Sequence, residues 1–274
     1  MWRPWAGTRA CPYGVIMLTK DLAICIRAVD YSETSQVVTF FTRDTGKIGA
    51  IAKGSKRPKS AFGGPIEILS HGKIVFSDSS DKSDSSREKL ATLTEFEPAY
   101  GGPGLTGLQN DLFVLNCCYF AAELLNHLTD DYDPHPELFD GFLQFLQDVQ
   151  GNNNRPQILA LSILFQLRLL KEVGLQPILD HCVNCKTRYE HQASSIQYPV
   201  YFSSSANGLV CKDCEPAFPD KIRLSRTAAV CLTSLKQIPD AADKTLVEIE
   251  KLLIRYFTEL LGRPPKMAKY IVRI

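Results

Sequence analysis

Over the first hundred residues, hydrophobic positions fall in short alternating runs bounded by turn residues. Leu22 to Val29 and Gln36 to Thr42 are rich in β-branched and aromatic side chains, and Asp44-Thr45-Gly46 supplies a turn before a third run, Lys47 to Lys53. Two further strands are predicted at Ile66 to Phe76, with a break at His71-Gly72, and at Leu90 to Phe96. Five short strands in about eighty residues favour a small closed barrel, because closure leaves no sheet edge exposed. Between the last two strands, SDSSDKSDSSREK is too poor in apolar residues to bury anything and reads as a mobile loop. Gly101, Gly102, Pro103, Gly104 and Gly107 then interrupt all regularity and mark a domain boundary.

Beyond that boundary the period lengthens from two to about 3.6. Leu108, Leu112, Leu115, Phe120, Leu124 and Leu128 form one stripe, Leu138, Phe142, Phe145, Leu146 and Val149 a second, and Ile158, Leu161, Phe165, Leu169 and Val173 a third. Gly174 and Pro177 stop the third helix. Ser225 is placed to cap a helix running to about Ile238, and Asp240 or Asp243 another that ends at Gly262, before Pro264-Pro265. The expected fold class is therefore α+β and multi-domain. Residues 1–16 form a disordered extension, 17–98 a β-barrel, and 99–274 an α-helical domain with a cysteine-bearing insert at about 179–217.

The insert carries the most specific chemistry. Cys182-Val-Asn-Cys185 and Cys211-Lys-Asp-Cys214 are two tight CxxC pairs. Each pair lets two thiolates reach one ion, so together they offer the four soft ligands of a tetrahedral zinc site. Four thiolates leave no position for water, which makes one structural Zn²⁺ the expected cofactor; iron in the same geometry is the lesser alternative. Cys11, Cys25, Cys117, Cys118 and Cys231 fall on strand or helix patterns or in the extension and are read as packing residues.

No apolar run approaches the roughly 18 to 20 residues of a membrane span, since Gln166 and Arg168 interrupt even Ile158 to Leu170. The first sixteen residues lack a secretory pattern, and the expected location is cytoplasmic. The formal net charge is only +1, yet Arg43, Lys47, Lys53, Lys56, Arg57 and Lys59 cluster against Asp44 alone between Arg43 and Ser60. Charge balanced globally but concentrated locally points to a phosphate footprint. From Ala99 to Gln150, in contrast, there are eight acids and no Lys or Arg. Their densest run, Asp130 to Asp133, reads as an exposed interhelical loop; a hydrolytic centre there would need acids converging in a cleft. The histidines form no HExxH motif, and GxxxxGK[ST] and GxGxxG loops are missing, so an ATPase or dehydrogenase is not expected.

This order of parts resembles the RecO family of bacterial recombination mediators from about Leu18 to near the C-terminus. The stretch that carries the resemblance is Asp30-Tyr31-Ser32-Glu33 followed by FFTRDTGKIGAIAKGSKRPKS, which looks like the signature of that family's N-terminal OB-fold; the CxxC pairs match its zinc-binding members. The extension before Met17 and the Ser/Asp loop depart from the usual pattern. The resemblance implies binding to single- and double-stranded DNA, annealing of strands coated with single-strand-binding protein, and help to RecR in loading RecA, without catalysis. In an OB barrel, Arg43, Lys47, Lys53, Lys56, Arg57 and Lys59 would neutralise phosphates. Phe40, Phe41 and Phe62 are expected in the barrel core rather than stacked on bases. The alternative from the residues alone is a zinc-ribbon, OB-fold RNA-binding or transcription-associated module.

Overall fold

The computed structural model describes residues 18–57, 59–60, 62–77, 90–99, 111–189 and 199–272. The extension, the Ser/Asp loop after Ser77, the Gly/Pro boundary at 101–107, Leu108 and Cys11 lie outside the described residues.

Five strands, β1 (Leu18–Asp30), β2 (Gln36–Thr42), β3 (Lys47–Ala52), β4 (His71–Ser77) and β5 (Ala91–Pro98), close into a barrel in the order β1-β2-β3-β5-β4. This is the five-stranded OB-type arrangement. Closure depends on β1, which serves two neighbours. A bulge between Cys25 and Arg27 bends it, so Ala23–Asp30 pair with β2 while Leu18–Ile24 pair with β4. The parallel pairing of Ala50–Ala52 with Ala91–Leu93 completes the ring. β1 starts at Leu18 rather than Leu22, because Thr19, Lys20 and Asp21 hide its first residues from a hydrophobicity pattern. β4 starts at His71 rather than Ile66; Ile66 and Leu69 are buried, but Leu69 has φ of 71°, which no strand accommodates.

The three predicted helices form as α1 (Leu112–Leu128), α2 (Pro136–Val149) and α3 (Arg155–Glu172). Asp111 caps α1 by accepting from the Phe113 and Val114 amides, and a proline sits in the first turn of α2 and of α3. Three short strands follow, β6 (Val200–Ser203), β7 (Gly208–Cys211) and β8 (Ile222–Arg223), in the order β7-β6-β8. Ser225 caps α4 (Arg226–Thr233) onto the Ala228 amide, but this helix stops well short of Ile238 and gives way to a single tight turn. In α5 (Asp243–Leu261) the capping position is Ala242, not Asp240 or Asp243; Asp243 instead stands in the first turn, where its charge meets the helix dipole. Gly262 ends α5 with φ of 67°, ahead of α6 (Ala268–Ile271).

Two cores result. The barrel interior is filled by residues such as Cys25, Val38, Phe40, Ile48, Phe62, Ile74 and Phe96. The helices pack around a larger core that Ile24, Ile26, Phe41 and Leu69 also enter from the outer barrel wall. Successive residues of one strand therefore point into different cores, which is why Ala23 to Ile26 are all buried. Phe41 meets Phe139 of α2 with ring centroids 6.2 Å apart.

Deep in the helical core, α5 presents the fully buried Glu250 to α3. Gln166 Nε2 stands 3.0 and 2.9 Å from its carboxylate oxygens and 3.2 Å from Ser162 Oγ. Among the described residues no cation pairs with Glu250, and burial pushes its pKa up to about 8.

Candidate nucleic-acid interface and metal centre

The six clustered cations take up different roles. Arg43 sits on the β2–β3 turn and makes a two-pronged contact to Asp140 of α2, Nε to Oδ1 at 3.0 Å and Nη2 to Oδ2 at 2.9 Å. This neighbour holds the Asp140 carboxyl below its ordinary range. Lys47 points the other way along β3, donating to the carbonyls of Asn126 (3.0 Å) and Thr129 (2.6 Å) at the C-terminal end of α1. Its side chain is only 13 % exposed and also meets Asp131 at 3.3 Å. A cation on the terminal carbonyls of a helix satisfies orphan acceptors and complements the dipole. Arg43 and Lys47 thus tie the barrel to the helices.

Lys47→Met is accordingly expected to cost about 1–2 kcal/mol in urea unfolding, since charged hydrogen bonds of this kind contribute that order. The loss should appear at equilibrium even if nucleic-acid binding is unaltered.

The remaining four cations lie on the loop that follows β3. Lys56 donates to Asp30 at 2.8 Å. Lys53, Arg57 and Lys59 are exposed, and no carboxylate among the described residues pairs with them. The loop winds through successive turns, Arg57 N to Gly54 O, Ser60 N to Arg57 O and Gly63 N to Ser60 O. Phe62 and Ile66 anchor it in the barrel core, where Phe40 also packs as expected; Phe41, expected there too, instead turns outward into the helical core against Phe139, and none of the three presents a stacking face.

Two buried polar residues that no sequence motif marks shape this region. Asp21, on β1, accepts from the Asp44 amide, the Thr45 amide (2.8 Å) and Thr45 Oγ1 (2.7 Å), pinning the β2–β3 turn. Gly46 completes that turn at φ of 89°, and a Cβ there would stand 2.4 Å from the Asp133 carbonyl oxygen. Gln36, the first residue of β2, bonds to both ends of the cationic loop. For Gln36 the only signal was a polar side chain opening a strand pattern, and Asp21, just before the Leu22 to Val29 run, gave none.

The acids of 99–150 are largely used within the molecule. Asp111 caps α1, Glu123 accepts from the Lys266 and Met267 amides at 2.8 Å, and Asp140 holds Arg43. Among the described residues, the one group of three or more His, Cys, Asp or Glu close enough to share a metal is Cys182, Cys185, Cys211 and Cys214.

Those four sulfurs lie within 4.8 Å of one another, Cys185 and Cys211 at 3.7 Å. Tetrahedral bonds of about 2.3 Å to one ion place sulfurs about 3.8 Å apart, so the set fits a metal. Each pair sits on a turn that aims amide donors at sulfur: Cys211 N to Cys182 Sγ at 3.4 Å and Asn184 Nδ2 to Cys214 Sγ at 3.3 Å. Cys182 is fully buried and Cys185 exposed. Hydrogen bonds from Thr187 bring the Cys185 thiol down to about 6, whereas burial drives Cys211 up to about 12. A bound dication would favour the thiolate at each.

The two turns meet because Val183 N and Leu209 N bond to Leu209 O and Ile178 O. Gly208 permits that approach: a Cβ there would lie 2.4 Å from the Ile178 oxygen. Cys25, Cys117, Cys118 and Cys231 are buried away from this cluster, in keeping with packing roles.

A closed OB-type barrel tied to a helical domain that carries a four-cysteine knuckle pair defines a two-part class of protein. The family models described as Recombination protein O N terminal and Recombination protein O C terminal match residues 17–99 and 109–269. The chain belongs to the RecO family. It is similar to proteins named DNA repair protein RecO: one from Bacillus subtilis (strain 168) is 28 % identical over 262 residues, 93 % of this chain and 94 % of the relative. Another, from Anaeromyxobacter dehalogenans (strain 2CP-C), is 30 % identical over 251 residues, covering 89 % and 92 %. A third, from Rhodopirellula baltica, is 32 % identical over 225 residues, covering 82 % and 77 %.

Proposed function

We propose that this chain is a DNA repair and homologous recombination mediator that binds single- and double-stranded DNA and anneals complementary strands. In this reading it helps RecR load RecA onto DNA coated with single-strand-binding protein, and it breaks no covalent bond. The observation that carries the proposal is the loop of Lys53, Lys56, Arg57 and Lys59, with Lys53, Arg57 and Lys59 exposed and not paired to a carboxylate among the described residues. Such cations bind backbone phosphate, which gives affinity without sequence preference and a marked dependence on salt. A partner's acidic, apolar tail would suit the groove of about 760 Å³ between β8 and α5, floored by Val247 and Leu252 and rimmed by Lys244, Lys251 and Arg255. Zinc is the ion proposed for the four thiolates, as one structural Zn²⁺ that holds the insert together.

The test is a titration with single-stranded DNA at several salt concentrations. Changing Lys53, Lys56, Arg57 and Lys59 together to alanine is expected to weaken binding by more than about tenfold and to lower the slope of log affinity against log salt by about 2 to 3, from roughly 0.7 per phosphate contact. Unchanged affinity and slope would remove this loop from the mechanism. Annealing assays with and without single-strand-binding protein check the mediator role, and preference for a matched RNA strand without annealing would instead favour an RNA-binding module.

A further inference from the structure

The cationic loop is a long excursion between β3 and β4, and a loop of that length is ordered only if something closes it. One side chain does so at two points. Gln36 is 6 % exposed, and Ser55 is fully buried. Ser55 Oγ donates to Gln36 Oε1 at 3.0 Å, the Ile66 amide donates to the same oxygen at 2.9 Å, and Gln36 Nε2 donates to the Ile66 carbonyl at 3.2 Å. A single amide group thereby holds the two ends of the cationic segment side by side.

Adjacent contacts run from the same corner of the barrel. Gly54 N donates to Ser35 Oγ at 3.2 Å and Lys56 N to Thr34 O at 3.1 Å. Lys53, Arg57 and Lys59 lie between or beside these anchors and point to solvent. Removing the amide would leave the Ser55 hydroxyl and the Ile66 amide buried without partners, a cost the loop escapes most easily by opening.

We propose that Gln36 is a positioning residue of the DNA interface: its side chain closes the loop so that Lys53, Arg57 and Lys59 are presented to phosphate in one arrangement. The inference rests on the DNA-binding reading of this loop. Gln36 itself carries no charge and touches no phosphate. Its contribution is to order three long side chains before binding, and so to lower the entropy lost when they engage.

The prediction separates position from charge. Gln36→Met keeps the volume and removes all three hydrogen bonds; it is expected to weaken single-stranded DNA binding by about tenfold while leaving the salt slope unchanged, because the same cations still reach phosphate in the complex. Amide exchange should speed up across residues 54–66 and not in the helices. Ser55→Ala, which removes one of the three bonds, is a milder second variant and should shift affinity and exchange in the same direction by less.

Wild-type affinity in Gln36→Met despite faster exchange would overturn the proposal, as would unchanged loop exchange in both variants. A drop in thermal stability with DNA affinity intact well below the melting temperature would assign Gln36 a purely structural role and also overturn it. If the quadruple alanine variant retains its affinity, the DNA reading of the loop fails and the positioning role falls with it. Exchange then still reports separately whether the clasp exists.

Discussion

Replacing Cys182 with serine is expected to abolish stoichiometric metal binding and to destabilise the helical domain by at least about 3 kcal/mol, or roughly 10 °C in melting temperature for a chain of this size. The reasoning starts from the insert itself. It contributes only short strands, and its apolar residues Leu179, Val200, Phe202, Leu209 and Val210 are continuous with the helical core. With so little hydrogen-bonded sheet of its own, the insert would rely on the proposed ion to hold its two turns together. Structural zinc in isolated fingers contributes on the order of 10 kcal/mol; packing on α5, where Phe202 meets Tyr256, retains part of the insert here, so the expected loss is smaller. Cys182 is the cysteine to change because it is fully buried and its sulfur accepts from the Cys211 amide. Chelation of the wild-type protein should reproduce the effect, and chelator should do nothing further to the variant. Elemental analysis that finds no bound ion, together with an unaltered melting curve for Cys182→Ser, would sink the structural-metal reading.

The second large effect concerns Glu250 and pH. Its ordinary pKa of 4.5 moves to about 8 because burial penalises the charged form. Protonation therefore favours the folded state. That contribution is complete below pH 4.5, declines as pH rises from 4.5 towards 8, and is gone above. At 1.36 kcal/mol per pH unit the full span is on the order of 5 kcal/mol. As placed, Gln166 Nε2 donates to both Glu250 oxygens and offsets part of this rise, while its own Oε1 has no partner among the described residues. Turning the amide over would let Oε1 accept the proton of a carboxylic acid. Glu250→Gln removes the titration, so unfolding measured at pH 5 and pH 9 should show the variant gaining several kcal/mol on the wild type at the higher pH. A difference between the two proteins that does not vary with pH would refute a buried, protonated Glu250.

Much of this protein is legible without coordinates wherever the governing interactions are local. The three helices appear from spacing, and Ser225 and Gly262 mark ends that the structure keeps. The convergence of the four cysteines was legible because each CxxC needs only one turn to bring two sulfurs together. Other expectations failed. Ala242 stands at the cap position given to Asp240 or Asp243, without a side-chain cap, and the start of β1 is polar because Asp21 serves a turn on another strand, a partner distant in sequence.

The cationic stretch shows the same division. Composition alone assembled Arg43, Lys47, Lys53, Lys56, Arg57 and Lys59 into one group. The fold divides them, giving Arg43 to Asp140, Lys47 to the end of α1 and Lys56 to Asp30, and leaving Lys53, Arg57 and Lys59 facing solvent. Sequence by itself determined the five barrel strands, the three helices that follow them, the cysteine quartet and the place of the charge, since periodicity and short spacings act within a few residues. Tertiary structure decided which of those charges are free and which buried polar groups hold them in place, because a charge's availability depends on neighbours that only the folded chain brings near.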